Sequence, residues 1–205
     1  MNFRETLSTV VRRNQSWLCV GLDPDLARMP DHLPRDADGI YAFCSAIMDA
    51  TADLVCAFKP NVAFFEALGA AGWTALERLV RLRLGPPIIL DAKRGDIGST
   101  AEAYAHAVFT TLGADAVTLN PYLGSDALEP FLRHADRGCF ILCKTSNPGS
   151  RDLQDARLAD GRPLYLAVAE MARDHWNTHG NVGLVVGATH PATLAEIRRA
   201  CPGTC

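Results

Sequence analysis

The stretch "IILDAKRGDIGSTAEAY", Ile88 to Tyr104, ends a short apolar run in acid, base, acid, with Asp91, Lys93 and Asp96 inside six residues. If the run is a β-strand, residues two apart point the same way, so Asp91 and Lys93 project together. A carboxylate beside an ammonium keeps both groups charged at neutral pH and orients the lysine. A cation fixed in that way can stabilise negative charge that develops on a bound molecule. Lys59 and Asp23 stand at the ends of two earlier apolar runs, "LVCAFKPN" and "WLCVGLD". One such pair on a surface is worth at most about 1 kcal/mol and means little. Four charged residues on three successive strand ends point instead to a site.

Other reactive side chains make weaker patterns. His175 and His179 are spaced i, i+4 in "DHWNTHG", but no third ligand accompanies them, so a solvated helix accounts for the pair. Of the seven cysteines, Cys19, Cys56, Cys139 and Cys143 lie in apolar runs and read as buried thiols of a reducing compartment. Cys201 and Cys205 have C-x-x-x-C spacing without a second ligand pair, which does not make a zinc site.

The elements that must position these residues repeat. Short apolar runs alternate with longer amphipathic segments six times along the chain. The strands predicted are "WLCVGLD", "LVCAFKPN", "PIILDAK", "DAVTLNP", "CFILCKTS" and "NVGLVVGATHP". The helices include "GIYAFCSAIMDATA", "AFFEALGAAGWTALERLVRLRL" and "STAEAYAHAVFTTL", the last with a capping signal at Ser99 and Glu102. Strands that are apolar throughout, without alternation, are parallel strands covered on both faces. Repeated βα units mean an α/β fold, a doubly wound sheet or a barrel. Polar residues recur at the strand ends: Asp23, Lys59 and Asn61, Asp91 and Lys93, Asn120, Lys144 to Asn147, Thr189. In a barrel such ends converge on one mouth.

Composition narrows the partners. At 205 residues, 48% hydrophobic and 21% charged, the chain suits one domain over residues 1–205. A net charge of −3 without long runs of like charge offers no nucleic-acid or anionic-membrane surface, so a small molecule is the expected partner. The start "MNFRETLSTVVRRNQSW" lacks the apolar core of a signal peptide, and no apolar stretch is long enough to span a bilayer. A cytoplasmic protein is expected.

"LDAKRGDIGST" resembles the D-x-K-x-x-D core of the orotidine 5'-monophosphate decarboxylases, and "VGLDPD", "FKPNVAFFEALG" and "CKTSNPGS" resemble the bacterial long-chain branch of that family. The resemblance is colinear from about Trp17 to Pro202. It implies a (β/α)8 barrel of TIM type, a homodimer with shared active sites, no metal or organic cofactor, and conversion of orotidine 5'-monophosphate to uridine 5'-monophosphate and carbon dioxide. It also implies roles. Lys93 would donate the proton to C6 of the pyrimidine, flanked by Asp91. Asp96 would join the same charge network from the other subunit, with Ile97 and Thr100, the latter at the ribose. Lys59 and Asp23 would hold ribose hydroxyls, with Asn61 beside them among the substrate-binding residues, and Ser146 would meet the pyrimidine amide.

The family pattern continues past "RRACPG", whereas this sequence ends in "CPGTC" after about six βα units. A Gly-rich phosphate loop, an arginine and a glutamine of the family pattern are therefore not in it, and binding energy from a remote phosphate is used at the reacting centre. Two alternatives remain open at this point. One is a shortened, catalytically impaired homologue; the other is a related magnesium-dependent sugar-phosphate decarboxylase or aldolase that shares D-x-K-x-x-D.

Overall fold

The computed structural model describes residues 1–189 and 191–204. After helix α1 (Phe3–Asn14), the apolar runs become strands β1 (Cys19–Leu22), β2 (Ala57–Pro60), β3 (Ile89–Arg94), β4 (Ala116–Leu119), β5 (Gly138–Lys144) and β6 (Val182–Val186). Helix α2 (Ala37–Thr51) follows β1, and α3 (Val62–Glu66) with α4 (Gly69–Val80) follow β2. Helix α5 (Gly98–His106) follows β3 and runs on as a π-helical turn, Ala107–Leu112. Helix α6 (Ser125–Leu132) follows β4, α7 (Ser150–Leu153) and α8 (Leu164–Met171) follow β5, and α9 (Pro191–Ala200) follows β6. The βα alternation read from hydrophobic patterning is thus present in each of its repeats.

β1 pairs with β2, and β3 to β6 pair in chain order. Registered pairs are parallel: Gly21 lies opposite Lys59, and Ile141 opposite Leu184. Every residue of β4 is buried, as expected of a strand covered on both faces.

The chain packs as two compact units, Met1–Ala92 with Ala105–Val117, and Lys93–Tyr104 with the chain from Thr118 onward. In the first, Ile40, Met48, Val55, Phe58, Phe65, Leu76, Leu79 and Leu90 are fully buried, and α2 packs on α4. The Arg83 guanidinium reaches both oxygens of Asp115 at 3.0 Å, while Asp115 Oδ2 accepts from the Ile88 amide at 2.9 Å. That fastens the start of β3. In the second unit Leu119, Leu128, Phe131 and Ile141 form the centre of the core, and α8 packs on β5 and α9.

Three local expectations change. The long helix expected after β2 is divided into α3 and α4, because Gly69 takes a left-handed backbone (φ 62) that ends one helix and starts the next at no steric cost. The capping signal at Ser99 is not used as such. Helix α5 begins at Gly98, which puts Ser99 inside it, and Glu102 forms an ion pair with Arg133. His175 belongs to the π-helical turn Ala172–Trp176 and His179 lies beyond its end, so the two histidines do not share a helix face. Both are exposed.

Six described cysteines are free thiols, five of them buried. Burial pushes the Cys44, Cys139 and Cys143 thiols up to about 12. Cys205 lies outside the described residues. No described helix is long and apolar enough to cross a membrane.

Candidate active site

In the first unit the ends of the parallel strands bring four of the expected residues together. Lys59, third in β2, donates from Nζ to Asp91 Oδ2 at 2.8 Å. The two side chains are 34% and 11% exposed, so this pair is screened far less than a surface one. Asn61 bridges to Asp91 in parallel register and receives its backbone bond from β1, its amide donating to Leu22 O at 3.0 Å. Its side chain works twice: Oδ1 accepts from the Ala63 amide at 3.3 Å and caps α3, and Nδ2 donates to Asp23 Oδ1 at 2.8 Å. The charges are felt inside the strand layer. Burial, then Cys56, lifts the Cys19 thiol to about 11, with Lys59 opposing and Asp91 adding to the rise.

The second unit holds the remaining residues. Lys93 is exposed, and its backbone is left-handed (φ 49), which a residue with a Cβ rarely adopts. Lys93 thus departs from the fully extended backbone that period-two spacing assumes, although it lies within β3. The Lys93 amide donates to Thr118 Oγ1 at 2.9 Å. Asp96 turns its Oδ1 to the Ile97 amide at 2.8 Å, and the Thr100 amide donates to Ile97 O at 3.3 Å as α5 begins. Ile97 and Thr100 are exposed. Asp96, Ile97 and Thr100 therefore share one turn.

Ser146 is exposed on the loop after β5. Gln154 holds that loop: its Oε1 accepts from the Thr145 amide at 2.8 Å and its Nε2 donates to Thr145 Oγ1 at 2.9 Å. Thr145 in turn donates to Asn147 Oδ1 at 2.7 Å. Beneath it, Lys144 Nζ donates to Asp155 Oδ1 at 2.6 Å and to Ser150 Oγ at 3.1 Å. Thr118, Gln154 and Asp155 were not anticipated. Thr118 had a signal, a hydroxyl inside the apolar run "DAVTLNP"; Gln154 and Asp155 sit in a polar segment with no diagnostic spacing.

The Lys144–Asp155 pair is lopsided, with the lysine side chain 4% exposed and the aspartate 42%. Removing the aspartate strands a buried ammonium, whereas removing the lysine leaves a carboxylate that water can reach. Asp155→Ala should thus destabilise by about 3 kcal/mol and Lys144→Met by about 1 kcal/mol in urea titrations. Equal losses would show that desolvation does not govern this pair.

Among the described residues no group of three or more His, Cys, Asp or Glu side chains is placed to hold a metal ion.

The sequence model of the "Orotidine 5'-phosphate decarboxylase / HUMPS family" matches residues 16–204. A Roseiflexus castenholzii protein named orotidine 5'-phosphate decarboxylase is 85% identical over 202 residues, 98% of this chain and 74% of that one. A Herpetosiphon aurantiacus protein of the same name is 57% identical over 98% of this chain and 75% of its own length. Among solved structures, Leishmania donovani OMP decarboxylase superposes with a TM-score of 0.90 at 49% identity, over 98% of this chain and 77% of that one.

Proposed function

The chain belongs to the orotidine 5'-phosphate decarboxylase / HUMPS family, and from that membership we propose how its residues remove the carboxyl group of orotidine 5'-monophosphate. The protein is a carbon–carbon lyase of pyrimidine biosynthesis, forming UMP and carbon dioxide on a fold of the (β/α)8 TIM-barrel type. About six of the fold's βα units lie in this chain, which we read as one domain.

When the C6–carboxylate bond breaks, carbon dioxide leaves and the electron pair stays on C6. No ring position delocalises that carbanion, so stabilisation must come from a fixed cation placed in advance. Lys93 supplies it, then passes a proton from Nζ to C6. The observation that carries this reading is the Lys59–Asp91 pair, held at 2.8 Å on adjacent parallel strands just before Lys93 in the chain. A carboxylate held in this way is fixed before the substrate arrives, so it need not reorganise as charge develops. It also opposes the substrate's own carboxylate, a destabilisation relieved as carbon dioxide departs. Lys59 and Asp23 take the ribose hydroxyls, with Asn61 keeping the Asp23 carboxylate oriented. Ser146 faces the pyrimidine amide.

Asp96, Ile97 and Thr100 complete the site of a second subunit, so the working form is a cytoplasmic homodimer. Their turn supports this: where α5 begins, the Ile97 amide donates to Asp96 Oδ1 and Ile97 O accepts from the Thr100 amide, with Ile97 and Thr100 both exposed.

The magnesium-dependent sugar-phosphate reading is weaker, since the relatives at 85% and 57% identity carry the decarboxylase name. Purified protein should consume orotidine 5'-monophosphate, followed by its falling absorbance, at the same rate with and without a chelator. Turnover of a sugar phosphate only, abolished by the chelator, would overturn the proposal.

A further inference from the structure

The conformation of Lys93 raises a question that its charge does not answer. A left-handed backbone is unfavourable for a residue with a Cβ, and it persists only where neighbours enforce it. Here φ is 49, and three consecutive residues are tied to the end of β4. The Lys93 amide donates to Thr118 Oγ1 at 2.9 Å, and Arg94 O accepts from the Asn120 amide at 2.8 Å. Gly95 lies flush on Asn120, where an added Cβ would come within 2.6 Å of the Asn120 carbonyl oxygen. Two of these ties use backbone that any residue supplies or an absence of side chain. Only the first depends on a particular side chain, and Thr118 is 4% exposed, so its hydroxyl is fixed by packing and shielded from competing water.

We propose that Thr118 is a positioning residue for the decarboxylation: its hydroxyl holds the Lys93 amide, and so the left-handed turn from which the lysine side chain is launched. This rests on the reading of Lys93 as the proton donor. In most parallel strands the bond at this position would run to a backbone carbonyl, which sets an extended residue. A side-chain acceptor sits further from the neighbouring backbone and lets the chain turn. The strain is thereby placed on the residue whose placement the chemistry depends on.

Thr118→Val keeps the shape and removes the acceptor. It should leave the melting temperature close to that of the parent and KM little changed, while kcat falls about ten- to a hundredfold, the penalty for a reacting group displaced by around 1 Å. Thr118→Ser, which restores the hydroxyl without the methyl group, should recover most of kcat. In a Lys93→Ala background Thr118→Val should cost nothing further, because its effect runs through the lysine. Full kcat in Thr118→Val, or an additive loss on top of Lys93→Ala, would overturn the inference. Should Thr118→Val not fold, Thr118→Ala takes its place; if neither folds, the hydroxyl serves the fold and the proposal fails. An unimpaired Lys93→Ala protein would instead sink the underlying reading, so the two failures are distinguishable.

Discussion

Replacing Lys93 with alanine is expected to lower kcat/KM for orotidine 5'-monophosphate at least about a thousandfold, equivalent to roughly 4 kcal/mol of barrier or more. The substitution removes both the cation that faces the forming carbanion and the proton that ends it. Folding should survive, since Lys93 is exposed and alanine leaves no cavity, so the melting temperature reports whether the loss is chemical. Lys93→Arg separates the two roles. Arginine keeps the charge but does not release its proton near neutral pH, so it should stay far below the parent. Turnover within tenfold of the parent in Lys93→Ala would remove Lys93 from the mechanism.

Mixing two inactive proteins should restore activity if the proposed homodimer shares its sites. Lys93→Ala and Asp96→Ala each spoil every site in their own homodimer. After subunit exchange at equal amounts, half of the dimers are mixed and one site in each mixed dimer is intact, so activity should approach about a quarter of the parent's. Both substitutions placed on one chain and mixed with either single variant should give no such recovery. Activity that stays at the sum of the two variants after complete exchange would assign Asp96 to the same subunit's site or to no site.

The strands and most helices were legible because continuous apolar runs and helical spacing report burial directly, and "DAVTLNP" and "CFILCKTS" became β4 and β5 within a residue or two. The break at Gly69 was less visible. A glycine inside an apolar helical pattern is compatible with a continuous helix, and only tertiary packing selects the left-handed turn. Charged residues at strand ends marked Lys59, Asp91 and Lys93, but spacing alone did not show that Lys59 meets Asp91. Spacing of two along one strand is silent about that contact, because Lys59 lies on another strand, thirty-two residues earlier. Sequence patterns of period two describe an extended chain, and Lys93 departs from it. The supports of Lys93 and of the Ser146 loop, Thr118 and Gln154, act across long or irregular connections that leave no period to read.

The most direct test of the decarboxylase account follows the atoms. Purified protein is given orotidine 5'-monophosphate in D2O, and carbon dioxide and the pyrimidine product are quantified together by mass spectrometry and NMR. Lys93 Nζ exchanges with solvent, so the account predicts one UMP carrying deuterium at C6 for each carbon dioxide released, and neither product from Lys93→Ala in the same time. Unchanged substrate with the parent protein, or the same labelled product at the same rate from Lys93→Ala, would contradict it.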